Sequence, residues 1–405
     1  MTASLYAHIP FCKKKCDYCD FFSIEEKYRL GKCNDLSDSY LSALVKEAAF
    51  YAESYGIEAW DTVYLGGGTP SLLSSRQISF FFSELKKILP FKENAEVTME
   101  VNPDDVSDEF LAACTNAGVN RLSMGIQAVD DRALNAVNRG SSEKIIASAL
   151  NCLKKKWHGR LSVDFIAGLP CHTYDSFKRQ FGILDEYPGI DHVSLYTLMV
   201  EENTPLWKKI EDNEINYSFD KADRMWLLGR NILEKHGFVH YEVSSFAKKG
   251  FESRHNCAYW TQKSYVGIGA GATGTIYDFE EKKALRWTNG LSIPAYISGV
   301  EKCLAEDKNP ALLRRQIEEL SAETLEFEAL MLGFRRLEGI SSLDFQKKFG
   351  KSLEERIGSD REEGLFFQWR KKGLALVRES LDGDKIYAMS RRGILLLNRF
   401  LEELM

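Results

Sequence analysis

The sequence lacks the features that would place the chain in a membrane, outside the cell or on nucleic acid. No uncharged run approaches the length that spans a bilayer. The segment Met1 to Ile9 lacks the basic start and long apolar stretch of a signal peptide. Acidic residues outnumber basic ones, 59 to 53, for a net charge of −6, whereas chains that bind a polyanion usually carry a positive excess. We therefore expect a cytoplasmic protein with no transmembrane segment and no nucleic-acid partner.

The cysteines also do not form the even set that is typical of a disulfide framework. There are nine in 405 residues, and disulfides are rare in the cytoplasm. Hydrophobic residues make up 44% of the chain, which suffices for a full core. The length allows more than one domain, and no repeats or low-complexity tracts stand out.

Short apolar runs that alternate with helical patterns dominate the first half of the chain. The predicted strands are Ser4–Ile9, Asp61–Leu65, Ala95–Val101, Val119–Ile126, Leu161–Gly168 and Asp191–Leu198. The predicted helices between them include Ser39–Tyr55, Arg76–Leu89, Asp108–Ala117, Glu143–Lys155 and Tyr174–Tyr187. Such alternation is typical of βαβ units and a parallel sheet. Six units predict an open or partial α/β barrel, whose chemistry lies at the carboxyl ends of the strands.

The pattern changes after about residue 200. Gly237–Phe246 is predicted as one more strand, which leads into a polar-aromatic loop and a glycine-rich stretch. Farther on, a helix is predicted that Ser321 caps and that Gly339 ends. The strands Leu374–Arg378 and Lys385–Met389 are then predicted to form a hairpin, and a last helix is predicted at Arg392–Leu404. We predict a barrel at 1–235, an extension at 236–300 and a helical, winged-helix-like domain at 301–405.

Three cysteines follow the first predicted strand with the spacing C-x₃-C-x₂-C: Cys12, Cys16 and Cys19. Thiolates are soft ligands that suit iron–sulfur clusters or zinc. Zinc usually takes a fourth cysteine or histidine nearby, and none follows Cys19 closely. Three thiolates on a [4Fe-4S] cluster leave one iron open to chelate S-adenosylmethionine (SAM). The remaining cysteines are scattered and are expected to be core thiols or bystanders: Cys33, Cys114, Cys152, Cys171, Cys257 and Cys303.

This spacing is the radical SAM signature, and the resemblance continues along the chain. The further motifs are Ser4–Cys12, Gly66–Pro70, Glu100–Pro103, Arg121–Gln127, Asn138–Arg139 and Asp164–Pro170. Together they resemble the family of the oxygen-independent coproporphyrinogen III dehydrogenases (HemN) and their relatives, the heme chaperones (HemW). The resemblance implies a partial (βα)₆ radical SAM barrel with one [4Fe-4S] cluster and bound SAM.

The resemblance also implies which side chains contact SAM. The positions that match the family's contacts are Tyr6, Tyr18, Gly67, Gly68, Thr69, Glu100, Gln127, Arg139 and Asp164. Thr197 and Thr273 match two further contacts that are expected to use the backbone. The glycines alone would also fit a tight strand-to-helix turn. A later loop, Gly269–Gly274, fits G-x-G-x-x-G, but we expect it to lack the strand and helix of a dinucleotide site.

Two features favour the heme-chaperone branch. The dehydrogenases resemble C-x₃-C-x₂-C-x-C, whereas Phe21 stands at the position of the last cysteine. The segment His255–Trp260 matches H-N-x-x-Y-W, which marks the chaperones. A histidine can ligate heme iron and aromatic rings can stack on a porphyrin, so His255, Tyr259 and Trp260 are candidate heme contacts. A packed polar-aromatic corner is the alternative for this segment.

The leading hypothesis is therefore a heme chaperone that passes heme to acceptor proteins, including respiratory ones. An electron donor such as flavodoxin or ferredoxin would be needed if SAM is cleaved. The alternative function is oxidative decarboxylation of coproporphyrinogen III in porphyrin biosynthesis. A regulator that binds DNA or a partner through the C-terminal domain is a third hypothesis, and the acidic balance speaks against DNA.

Overall fold

The protein is described by a computed structural model at residues 1–25, 35–305 and 314–405, so that Cys33 lies outside the described residues. Six parallel strands form its centre, and we number them β1 to β6. They are Thr2–Ile9, Ala59–Gly67, Phe91–Val101, Arg121–Gln127, Arg160–Ala167 and His192–Thr197. They are neighbours in that order, and every pair is parallel. The six strands predicted from the sequence are confirmed.

Helices cover the sheet, and the strands beneath them are apolar, as is typical of buried parallel strands. Leu5, Val63, Met99, Leu122 and Val163 are completely buried. The helices of this half are Asp35–Ser54, Ser75–Ile88, Asp108–Ala117, Asp131–Ala136, Glu143–Lys156, Tyr174–Arg179, Ile183–Glu186, Pro205–Glu211 and Phe219–Lys235. The predicted helical segment Tyr174–Tyr187 is confirmed, and a 3₁₀ turn at Gln180–Gly182 joins its two α-helices.

Further strands extend both sides of the sheet, which has twelve strands among the described residues. Beyond β1 lie a parallel strand and three antiparallel ones: Tyr265–Ile268, Thr273–Asp278, Lys283–Asn289 and Arg314–Leu320. Beyond β6 lie two short antiparallel strands, Ser245–Ala247 and Val239–His240. The continuous strand predicted over Gly237–Phe246 is therefore wrong: a turn closed by the Ser245 amide on the Glu242 carbonyl (3.3 Å) reverses the chain.

The segment between these two groups of strands is a helix rather than the predicted loop. Arg254–Trp260 is helical, and Ser253 caps it by accepting a hydrogen bond from the Asn256 amide. The glycine-rich loop Gly269–Gly274 follows the strand Tyr265–Ile268, a strand that the sequence did not predict. A strand and not a helix comes next, so the loop lacks the strand–loop–helix order of a dinucleotide site.

The C-terminal part has a hydrophobic core of its own. Its helices are Ala322–Gly333, Ser342–Phe349, Leu353–Ile357, Leu365–Lys371 and Leu397–Leu404. The preceding helix, Ile293–Ala305, packs in the main core, against the helix Asp35–Ser54. The small antiparallel sheet of the C-terminal part contains Ile340–Ser341, Ala375–Glu379 and Lys385–Met389. The predicted hairpin and the Ser321 cap are confirmed, although the capped helix ends at Gly333, before the predicted stop. Within the described residues we find no helix with the length and apolar character needed to cross a bilayer.

Candidate cofactor site

The carboxyl ends of the parallel strands surround a cavity of about 470 Å³, a volume typical of small-molecule sites. It lies where the sheet topology predicts a ligand. Most of the predicted cluster and SAM positions line it: Cys12, Tyr18, Cys16, Cys19, Gly67, Gly68, Thr69, Glu100, Gln127, Arg139, Asp164 and Thr197. The structure thus brings together residues that the sequence distributes over nearly two hundred positions.

The loop that carries the three cysteines is fixed on several sides. Its first residues pair with a short strand, Phe11–Cys12 with Ile24–Glu25. The Cys19 amide donates to the Cys16 carbonyl (3.1 Å), and the Asp17 amide donates to the Val137 carbonyl (3.0 Å). Lys209 pairs with the Asp17 carboxylate at 2.6 Å. The thiols are therefore presented to the cavity by an ordered loop.

Two of the three thiols already have hydrogen-bond donors. The Thr69 hydroxyl lies 3.6 Å from Cys12 Sγ, and Arg139 Nη1 lies 3.6 Å from Cys16 Sγ. All three cysteines are free thiols. In the described part of the chain, no three Cys, His, Asp or Glu side chains are arranged to hold a single metal ion. Three soft ligands, two of them with a hydrogen-bond donor at the sulfur, fit an iron–sulfur cluster.

Glu100, at the end of β3, is a carboxylate of the cavity with two hydrogen-bond donors. Its Oε1 accepts from the Tyr64 hydroxyl (2.8 Å), and its Oε2 accepts from the Gly67 amide (3.1 Å). Burial and the nearby Asp164 carboxylate raise the pKa of Glu100 to about 7, although the two hydrogen bonds oppose the rise. Glu100 can therefore gain or lose a proton near neutral pH.

Arg139 joins three parts of the site. Its Nη2 donates to Asn102 Oδ1 and to the Gly125 carbonyl, each at 2.6 Å, while Nη1 faces Cys16. Sequence reasoning missed Asn102 as a site residue. Asn102 also donates to the Thr69 hydroxyl (3.3 Å), so it links the arginine to the glycine motif. The only sequence signal for Asn102 was its place in the motif Glu100–Pro103.

The backbone of the cavity wall is unusual at two positions. Gln127, at the end of β4, has a φ of 68°, a conformation that a glutamine rarely adopts and that often occurs at functional sites. At Gly68, an added Cβ would lie 2.8 Å from the carbonyl oxygens of Ile9 and Phe11. Gly68 therefore allows the chain after β2 to pack directly on the chain that enters the cysteine loop.

Another acidic side chain of the cavity is Asp164, on β5. The Ser123 hydroxyl lies 3.2 Å from its carboxylate, and burial raises the pKa of Asp164.

Two predicted SAM positions, Tyr6 and Thr273, do not line the cavity. The Tyr6 hydroxyl instead bonds His8 Nδ1 (3.0 Å), and His8 Nε2 donates to the Phe22 carbonyl just past the third cysteine (2.8 Å). Thr273 bonds Thr288 across two strands (2.8 Å).

Comparison with known proteins decides the family. The model of the radical SAM superfamily matches residues 6–179. The chain is 32% identical over 356 residues to the heme chaperone HemW of Lactococcus lactis, covering 88% of this chain and 87% of that protein. The chain belongs to the HemW family.

Other relatives agree with this assignment. HemW of Bacillus subtilis is 32% identical, with 87% of this chain and 88% of that protein covered. A mitochondrial radical SAM domain-containing protein 1 of Danio rerio is 32% identical, with 93% and 85% covered. Coproporphyrinogen III oxidase (HemN) of Escherichia coli has a TM-score of 0.78 at 21% identity and covers 100% of this chain and 90% of that one, which shows a shared fold. Membership of the radical SAM superfamily implies a [4Fe-4S] cluster and SAM.

The segment His255–Trp260, predicted to mark the HemW branch, is partly buried. His255 is 1% exposed; its Nδ1 bonds the Thr62 hydroxyl (2.7 Å), and its Nε2 bonds the Tyr259 hydroxyl (2.8 Å). His255 therefore lies in a packed polar-aromatic corner, the alternative to a heme contact that the sequence did not exclude. Because both ring nitrogens are engaged, a bond from His255 to heme iron would require this helix to rearrange. A heme contact by His255, Tyr259 or Trp260 stays a prediction.

Proposed function

We propose that the chain is a heme chaperone, which binds heme and passes it to acceptor heme proteins, and that it carries a SAM-coordinating [4Fe-4S] cluster. The observation that carries this proposal is the single cavity that gathers three thiols and the polar SAM positions, in a chain similar to HemW over most of its length. The acceptor proteins are part of the proposal.

The residues of the cavity suit both cofactors. Cys12, Cys16 and Cys19 would ligate three irons and leave the fourth open. A reduced cluster of this kind supplies the electron that cleaves the C5′–S bond of SAM. Arg139 would pair with the SAM carboxylate, and Glu100 would accept hydrogen bonds from ribose hydroxyls. An external donor such as flavodoxin or ferredoxin would supply the electron if cleavage belongs to the activity.

The rim of the same cavity offers a surface for heme. Phe21 and Met199 line the cavity and are 63% and 70% exposed, and Tyr196 beside them is 44% exposed. Large exposed apolar side chains around a cleft fit a flat apolar macrocycle. Lys14 and Lys15 also line the cavity and are the cationic groups for heme propionates. A methionine thioether is an established heme-iron ligand.

An anaerobic heme titration of the cluster-reconstituted protein tests this function. We expect a Soret band that saturates at a fixed stoichiometry, followed by loss of that band when an apo-acceptor heme protein is added. Met199→Ala and Phe21→Ala should weaken binding. Met405→Ala, which changes an exposed methionine at the C-terminus, is the control. Heme uptake that never saturates would contradict the proposal.

Oxidative decarboxylation of coproporphyrinogen III is the second candidate, favoured by the fold shared with HemN. An anaerobic assay with SAM, a reductant and coproporphyrinogen III distinguishes the two functions. We expect no protoporphyrinogen from protein whose iron content and cluster absorbance are complete. Its formation, dependent on the three cysteines, would favour the enzyme instead.

A further inference from the structure

The helix of the H-N-x-x-Y-W motif lies behind the cofactor cavity, against the strands that carry it. The His255 amide at the start of this helix donates to Glu96 Oε1 on β3 (3.0 Å). Glu96 is buried and forms ion pairs with Arg121 and Arg160 (3.5 and 3.6 Å). The Thr62 hydroxyl on β2 holds the imidazole itself. The helix is therefore fixed to two neighbouring strands of the barrel.

A short chain of contacts leads from this helix to the cofactor cavity. The His255 ring stacks on the ring of Tyr64, with centroids 4.9 Å apart and planes at 25°. The Tyr64 hydroxyl donates to Glu100 Oε1 (2.8 Å). Glu100 itself lines the cofactor cavity. One side chain thus separates the histidine of the family motif from a predicted SAM contact.

A second, smaller cavity of about 50 Å³ occupies the space behind Glu100. It shares four wall residues with the cofactor cavity: Glu100, Ser123, Asp164 and Tyr196. Its other walls are Tyr64, Arg121, Ser162, His192, Ser194, Ser253 and Asn256. Ser253 and Asn256 belong to the motif helix or its cap. The motif therefore closes the inner side of the site with polar groups.

We propose that His255 is a positioning residue, which holds Tyr64 against Glu100 and so keeps the Glu100 carboxylate directed into the cofactor cavity. This inference rests on the proposed function, because it assumes that Glu100 contacts SAM. It gives the motif a role in SAM binding, separate from ligation of heme iron. The engaged ring nitrogens of His255 agree with this role.

The protonation of these groups suits a fixed support. Burial, helped by the Arg121 charge, lowers the pKa of His255 to about 3, so the imidazole is neutral at physiological pH. Burial raises the pKa of Tyr64, so its hydroxyl keeps the proton that it donates to Glu100. The titratable and charged groups near Glu100 are Tyr6, Tyr64, Arg121, Asp164, His192 and Tyr196. Among these, Tyr64 is the one that donates a hydrogen bond to it.

Calorimetric SAM titration of the reconstituted holoprotein tests the proposal. We expect His255→Ala and Tyr64→Phe each to weaken SAM binding about tenfold, the effect of losing a hydrogen bond to a charged group. The double variant should be no weaker than the worse single variant, because both act through the same contact. In both single variants and in the double variant, the pH at which half of the SAM affinity is lost should rise, because the Tyr64 hydrogen bond lowers the pKa of Glu100. His255→Gln, whose amide can keep one hydrogen bond, should recover part of the affinity.

His240→Ala is the matched control, since His240 is also buried and stacked, on Phe246 with centroids 4.5 Å apart. It should leave the SAM affinity unchanged. If His255→Ala fails to fold, Tyr64→Phe tests the same contact. Wild-type affinity and pH profile in Tyr64→Phe, or loss of the Soret band with intact SAM binding in His255→Gln, would overturn the proposal. Absence of SAM binding by the wild-type holoprotein would instead refute the proposed function.

Discussion

Glu100 should make SAM binding depend on pH in the neutral range. Its pKa is about 7, raised chiefly by burial. Above this pKa the carboxylate can accept hydrogen bonds from the ribose hydroxyls of SAM; below it, the added proton must be lost before SAM binds. If the ionised form alone binds SAM, affinity should fall about tenfold between pH 8 and pH 6.

The measurement is the dissociation constant of SAM for the reconstituted protein at several pH values. Glu100→Gln is the reference, because the glutamine amide does not titrate. Any protonation change in SAM or in the cluster affects this variant and the wild-type protein alike. The ratio of variant to wild-type dissociation constants should fall about tenfold as the pH drops from 8 to 6. A ratio that is constant over this range would refute the assignment of Glu100 as a titrating SAM contact.

Two further predictions concern the walls of the cavity. Arg139→Met should destabilise the protein by about 1–3 kcal/mol in chemical denaturation, because it removes the hydrogen bonds to Asn102 Oδ1 and to the Gly125 carbonyl. Arg132→Met, at an exposed arginine of the same segment, should change stability by less than about 0.5 kcal/mol; equal effects would contradict the role of Arg139. Gly68→Ala should cost about 1–3 kcal/mol and lower the iron content after reconstitution, since its Cβ would meet backbone oxygens at 2.8 Å. Gly140→Ala is the control, because the added Cβ has free space around it. If Gly140→Ala lost as much iron as Gly68→Ala, the steric argument for Gly68 would be contradicted.

Much of the fold could be predicted because its strongest signals are local. Buried parallel strands are continuous apolar runs, and the helix Asp108–Ala117 has the predicted bounds because a serine cap and a following glycine mark its ends. The motif helix Arg254–Trp260 was missed because its seven residues, mostly polar or aromatic, show no clear helical period. The continuous strand predicted over Gly237–Phe246 failed because the segment forms two short strands, Val239–His240 and Ser245–Ala247, joined by a turn.

Most of the residues that line the cavity, including the three predicted cluster ligands, could also be predicted from the sequence. C-x₃-C-x₂-C places three thiols within eight residues, so the chain itself brings them together wherever the fold puts them. The polar SAM positions follow strands whose carboxyl ends meet at one edge of the sheet. The order of the strands in the sheet therefore brings motifs that are far apart in the sequence together around one cavity.

Only the tertiary structure decided which other side chains serve that cavity. Asn102 meets Arg139 across 37 positions of the chain, and His255 meets Thr62 across 193. No local pattern encodes such contacts, because they depend on the register of neighbouring strands and on the position at which a short helix packs against them. The sequence by itself thus determined the family and placed three cysteines close together as the predicted cluster ligands. The fold decided that His255 is buried and stacks on Tyr64, which bonds Glu100.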